Sequence, residues 1–172
     1  MRLLRAGNWR NLPIVLVITL LLACNALFHA EIVGISDSDG LARRLAIGVV
    51  VVLITLVGGR INPSFTRNWL AKSGAEKFPA AFKNFDHVAV IVTLLALGYW
   101  TVAPESAIAA ACIGFAAILN FFHLTRWRGH ASIREPLLVV MHIGYLWIPV
   151  GLTLLAVSNG LPEFRKPLLC MR

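Results

Sequence analysis

The chain has 172 residues, of which 58% are hydrophobic and only 14% charged, with a mean hydropathy of +0.77. Soluble domains carry about a quarter of their residues charged, so this composition excludes a water-soluble globular enzyme and makes lipid the solvent for much of the surface. The net charge of +8 is not a nucleic-acid footprint, because Lys and Arg fall between apolar runs instead of forming one basic stripe.

Five apolar runs are long enough, or nearly so, for the roughly 17–25 residues that a spanning helix needs. The expected fold is therefore an all-α, polytopic transmembrane helix bundle over residues 1–160, followed by a short atypical tail at 161–172. The first predicted helix covers 12–32. Arg2, Arg5 and Arg10 before it, and Leu21-Leu22-Ala23-Cys24 within it, imitate a cleavable leader. The apolar run continues to Phe28 and four more follow, so the helix is expected to be retained.

The second helix is predicted over 41–59, with Arg43 and Arg44 snorkelling to the interface. Gly58-Gly59-Arg60 ahead of Pro63 reads as its stop. The third covers 86–103 and opens on Asp86-His87, where an acidic residue compensates the helix dipole. The fourth covers 106–123, and its Ala110–Gly114 pair has the small-xxx-small spacing for close approach in lipid. Gly144 and Gly151 are expected to do the same for the fifth, over 137–158, which Pro149 should kink. Cys24, Cys112 and Cys170 are far apart and imply no disulfide framework.

Orientation follows from the short loops. Arg2, Arg5 and Arg10, then Arg60, Arg67, Lys72, Lys77 and Lys83, then Arg126, Arg128 and Arg134 all fall on one side. Only Arg43 and Arg44 fall on the other, near Asp37 and Asp39. The amino terminus is therefore expected in the cytoplasm. The tail bearing Arg165, Lys166 and Arg172 does not fit the alternation.

Ionisable groups at membrane depth are functional-site candidates by default. His142 lies one to two turns inside the fifth helix, and Tyr145, three residues on, shares its face. A neutral imidazole there can ligate haem iron or copper through one nitrogen while the other donates to an acceptor, or can simply bond to a neighbouring helix. His123 ends the fourth helix at similar depth, so the two could hold one metal, although an interfacial histidine beside Arg126 and Arg128 is the simpler reading. His29 closes the first helix at the opposite end, with Asn25 one turn earlier to orient it. His130 is expected in a solvated loop. No nucleophile–base pair, paired acids, GxSxG, HExxH, P-loop or dinucleotide fingerprint occurs, so no catalytic residue is expected.

Three ordered segments carry a family resemblance. Gly58-Gly59-Arg60-Ile61-Asn62-Pro63-Ser64-Phe65-Thr66-Arg67-Asn68-Trp69-Leu70 resembles the signature loop of the NnrS family. Arg10-Asn11-Leu12-Pro13 with Asn25-Ala26-Leu27-Phe28-His29 is similar to one of its helices. Arg126-Trp127-Arg128, Arg134-Glu135-Pro136-Leu137-Leu138 and His142-Ile143-Gly144-Tyr145-Leu146-Trp147 resemble another.

The resemblance implies a multi-spanning protein of the bacterial inner membrane, associated with haem and copper and with the response to nitric oxide. It marks His29, His142 and Tyr145, and the loop residues Gly59, Arg60, Pro63, Phe65, Thr66 and Arg67, with His123 matching less closely. Family members are longer. The chain is thus expected to be a middle portion or truncated member, partnered by lipid and by further transmembrane helices, with any cofactor site completed elsewhere. Two other readings stay open: a transporter or channel subunit using Arg60 and Arg67 as an anion contact, and an inert truncated bundle.

Overall fold

The computed structural model describes residues 12–35, 39–80 and 84–161. Five helices cross it: α1, Leu12–Ile32; α2, Leu41–Lys72; α3, Asn84–Val102; α4, Ala107–Thr125; and α5, Pro136–Gly160. A 3-10 turn, Gly129–Ser132, lies between α4 and α5. No strand occurs among the described residues. All five helices are long and apolar enough to cross a bilayer, and side chains such as Leu22, Val140 and Trp147 stand two-thirds exposed on their outer faces. In water that surface would be unstable; in lipid it is ordinary. The protein is a multi-pass membrane protein.

Local chemistry sets the helix ends. Ser106 caps α4, its side chain accepting from the Ile108 N–H at 3.2 Å. Pro136 occupies the first turn of α5, where its missing N–H costs nothing. α2 ends where Gly74 turns left-handed at φ +74° and the Ala75 N–H reaches back to the Leu70 carbonyl at 3.0 Å.

The second helix departs from expectation. It does not stop at residue 59 but runs 32 residues to Lys72, through Gly58, Gly59 and the internal Pro63. The resemblance segment, expected as a loop, is therefore helical. The reason is tertiary. Gly59, Asn62, Pro63, Thr66 and Leu70 are buried at spacings of three and four, one face of a helix. The Asn62 amide donates to the Met141 carbonyl of α5 at 3.3 Å, and the Thr66 hydroxyl donates to the Asn62 carbonyl at 2.8 Å. This face is partly polar, so it lacks the apolar stripe by which an amphipathic helix is read.

The core of Val52, Ala96, Leu97, Trp100, Ile113, Ile148 and Leu152 lies where α2 to α5 meet. α4 and α5 pack most intimately. A Cβ added to Gly114 would touch Ala156 at 3.7 Å, and one added to Gly160 would touch Ala110 at 3.8 Å. The Ala110–Gly114 pair thus meets an Ala156–Gly160 pair, small residue against small. Gly144 and Gly151, expected to play that part in α5, are exposed with nothing within 4 Å. They lie off the buried face marked by His142, Tyr145, Ile148, Pro149 and Leu152. α1 is the most peripheral helix, and Cys24 is its buried contact.

The two ends of the bundle differ. At one, Arg44 of α2 donates to the Thr101 carbonyl of α3 at 3.3 Å, close to where α1 ends. At the other, the second half of α2, the start of α3, the end of α4 and the start of α5 converge. The described basic residues Arg60, Arg67, Lys72, Lys77, Arg126, Arg128 and Arg134 belong to this second end. Arg2, Arg5, Arg10, Asp37, Lys83, Cys170 and the basic tail residues fall outside the described residues.

Candidate site at the basic end of the bundle

Three helices deliver side chains to one buried polar chain. Asp86, in the first turn of α3, is 3% exposed, and its Oδ1 lies 3.0 Å from Nε2 of His123, which is fully buried in the last turn of α4. The Arg126 guanidinium stands 3.9 Å from the same oxygen and covers the Phe85 ring at 4.6 Å. On the far side of the imidazole, Nδ1 lies 3.2 Å from the Tyr145 hydroxyl of α5. That hydroxyl donates to Asn120 Oδ1 at 2.8 Å. The Asn120 amide in turn donates to Thr93 Oγ1 and to the Ala116 carbonyl, both at 2.8 Å.

Most of these buried polar groups find a hydrogen-bond partner, and one left unsatisfied costs about 1–3 kcal/mol; His123 Nε2 has the Asp86 carboxylate beside it without a hydrogen bond. α2 closes the site. Gly58 lies so near the Tyr145 ring that a Cβ there would come to 3.0 Å of it, and the Thr55 hydroxyl faces the Tyr145 hydroxyl.

His142 belongs to a second, adjoining site. Its Nδ1 lies 2.7 Å from the Leu138 carbonyl one turn back. A carbonyl only accepts, so Nδ1 carries the proton, and in the neutral ring Nε2 holds a free lone pair. Nε2 is buried and has no hydrogen-bond partner. His142 lines a cavity of about 420 Å³ together with Leu124, Thr125, Gly129, His130, Ile143 and Leu146. Gly129 is required beside it, because a Cβ there would come within 2.6 Å of the imidazole. The arrangement fixes the ring and leaves one of its nitrogens without a protein partner beside a mostly apolar space, as a metal-ligating histidine needs.

The structure brings together some predicted residues and separates others. His142 and Tyr145 share the buried face of α5 as the spacing implies. His123 and His142 both pack edge-on against Trp127, at ring distances of 4.9 and 6.1 Å. They do not converge on one point: both nitrogens of His123 face Tyr145 and Asp86. His29 and Asn25 are exposed on α1 at the opposite end. Among the described residues, no group of three or more His, Cys, Asp or Glu gathers for a metal. Gly59, Pro63 and Thr66 are buried, whereas Arg60, Phe65 and Arg67 are exposed, with Arg67 over the Phe78 ring at 5.7 Å. His130 is exposed at the cavity rim.

Asp86 is the clearest correction. It is a buried partner of His123, not merely a compensating charge at a helix start. Asn120, Thr93, Thr55 and Trp127 were also missed. Asn120 could have been found, as an amide inside an apolar helix one turn before His123.

Comparison with curated proteins and with solved structures finds no match. A family model does match, that of the NnrS protein, and it covers residues 1–169, including most of the tail that the sequence had set apart. The chain belongs to the NnrS family.

Proposed function

We propose that this chain is a component of the bacterial cytoplasmic membrane that binds haem or copper through His142 Nε2 and serves the response to nitric oxide. The observation that supports it is the orphaned, buried Nε2 of a histidine that lines a mostly apolar cavity, within a chain of this family. The residues present fit such a group in part: His142 supplies one neutral nitrogen, Leu138 fixes its tautomer, Gly129 leaves the approach open, and His130 stands at the rim. A bound haem or copper would supply a coordination position for nitric oxide. The protein would hold it, keep its surroundings apolar, and shield it from water.

The basic end, with its seven described Lys and Arg residues, is read as cytoplasmic by the positive-inside rule. The reading is tested by growth of a nitric-oxide-sensitive bacterial strain producing the chain. Protection by the wild-type protein that is lost in His142→Ala and kept in His87→Ala is expected. Equal protection by wild type and His142→Ala would remove the functional assignment.

A further inference from the structure

α1, α2 and α3 enclose a groove of about 450 Å³ that shares no residue with the cavity at His142. Its lining runs on α2 from Leu45 to Leu56 and on α3 from Val90 to Thr101. Either pair is eleven residues apart, about 16 Å along a helix, close to half of the roughly 30 Å of a hydrocarbon core. The groove therefore has the depth of one leaflet. Its end at Leu45 and Thr101 lies beside Arg44, whose Nε donates to the Thr101 carbonyl at 3.3 Å.

The lining offers nothing to a polar ligand. Among the described lining residues only Thr101 has a polar side chain, and its hydroxyl donates to the Leu97 carbonyl at 2.8 Å. A space of that kind stays free of water. It opens outward from the bundle, since Leu16 is 62% and Leu94 51% exposed. Averaged over its depth, the volume gives a cross-section of about 28 Å². That admits one hydrocarbon chain and excludes a helix, which is about 10 Å across. Gly98 keeps the groove open, because a Cβ added there would meet nothing within 4 Å.

Charge at the mouth supplies the other half of the match. Among the described residues, Arg43 and Arg44 are the only lysine or arginine at this end of the bundle. Arg44 is held by its bonds to the Thr101 carbonyl and to the Asp39 carbonyl at 2.9 Å, and Arg43 is exposed. Glu31, Asp39 and Glu105 belong to the same end, so the attraction is local to the two guanidinium groups. Such groups pair with phosphate through charge-assisted hydrogen bonds. We propose that the groove binds one phospholipid of the leaflet at the Arg43–Arg44 end, its acyl chain between α2 and α3 and its phosphate at the two arginines. The chain also packs α1, whose Leu16, Val17 and Leu20 line the groove, against the rest of the bundle.

The test places the full chain in vesicles of phosphatidylethanolamine and phosphatidylglycerol containing a little phospholipid with a photoreactive acyl chain. After illumination, mass spectrometry maps the adducts. They should concentrate on residues 45–56 and 90–101 and be displaced by excess unlabelled phospholipid. Gly98→Phe, which fills open space, should remove most of them while sparing adducts at the outward-facing Val140 and Trp147. Replacing both arginines, Arg43→Gln with Arg44→Gln, should lower groove labelling by about tenfold. Adducts no denser in the groove than at Val140, or resistant to competition, would mean bulk lipid only and overturn the proposal. So would labelling unchanged by Gly98→Phe, or an unlabelled groove with cross-links between chains, which would mean that a second copy covers it. Should the arginine variant not fold, competition in the wild type and Gly98→Phe decide.

Discussion

Trp127 separates two histidines with different chemistry. His123, on one side, has protein groups against both nitrogens, Tyr145 at Nδ1 and the Asp86 carboxylate at Nε2; His142, on the other, has the Leu138 carbonyl at one and no hydrogen-bond partner at the other. That difference decides which can accept an external ligand. His142 and Tyr145 were legible in the sequence because an imidazole and a phenol inside an apolar run have few innocent uses. Asp86 was not, because an acidic residue in a first turn already has an ordinary explanation, and only the fold shows that α4 brings His123 against it. Gly58 carries a prediction at this scale. In Gly58→Ala the new methyl meets the Tyr145 ring at 3.0 Å, an overpacked contact that should lower stability by about 1–2 kcal/mol. Thermal unfolding in detergent measures this, with Gly144→Ala, which has open space, as the control that should not fall by a comparable amount.

At the scale of the element, α2 and the α4–α5 pair carry the site. At 32 residues, α2 is about 48 Å long, well beyond the roughly 30 Å of a hydrocarbon core, so its last turns rise past the lipid at the basic end. Gly58-Gly59 followed by Pro63 resembled a stop because each disfavours a helix in isolation. Burial of that face and the Asn62 contact with α5 override that preference, and they are tertiary facts that no local pattern contains. Asn62→Leu removes the donor to the Met141 carbonyl and should cost about 0.5–1.5 kcal/mol, read as a lower unfolding temperature. In α4, a Gly114→Leu change drives a branched side chain into Ala156. It should destabilise by about 1–3 kcal/mol or more, while the same change at Gly151 should be tolerated.

At the scale of the whole molecule, the five spans and their order followed directly from apolar run lengths, since burying a backbone in lipid leaves only the helix as a single-segment solution. The position of the site could not be read that way. It depends on which helix faces meet, and exposed Leu, Ile and Phe look alike in sequence whether they face lipid or a neighbour. The alternation of charge predicts an arrangement checkable with single cysteines and a membrane-impermeant maleimide. A cysteine at Glu105 should label in intact cells, and one at Arg67 only after permeabilisation; the reverse pattern would invert the topology. The central claim, that His142 presents an open nitrogen to a bound cofactor, is met most directly by adding haem to the full chain in lipid and recording the absorption spectrum. A saturable shift of the haem band in the wild type that disappears in His142→Ala is predicted, and an identical shift in both proteins would contradict it.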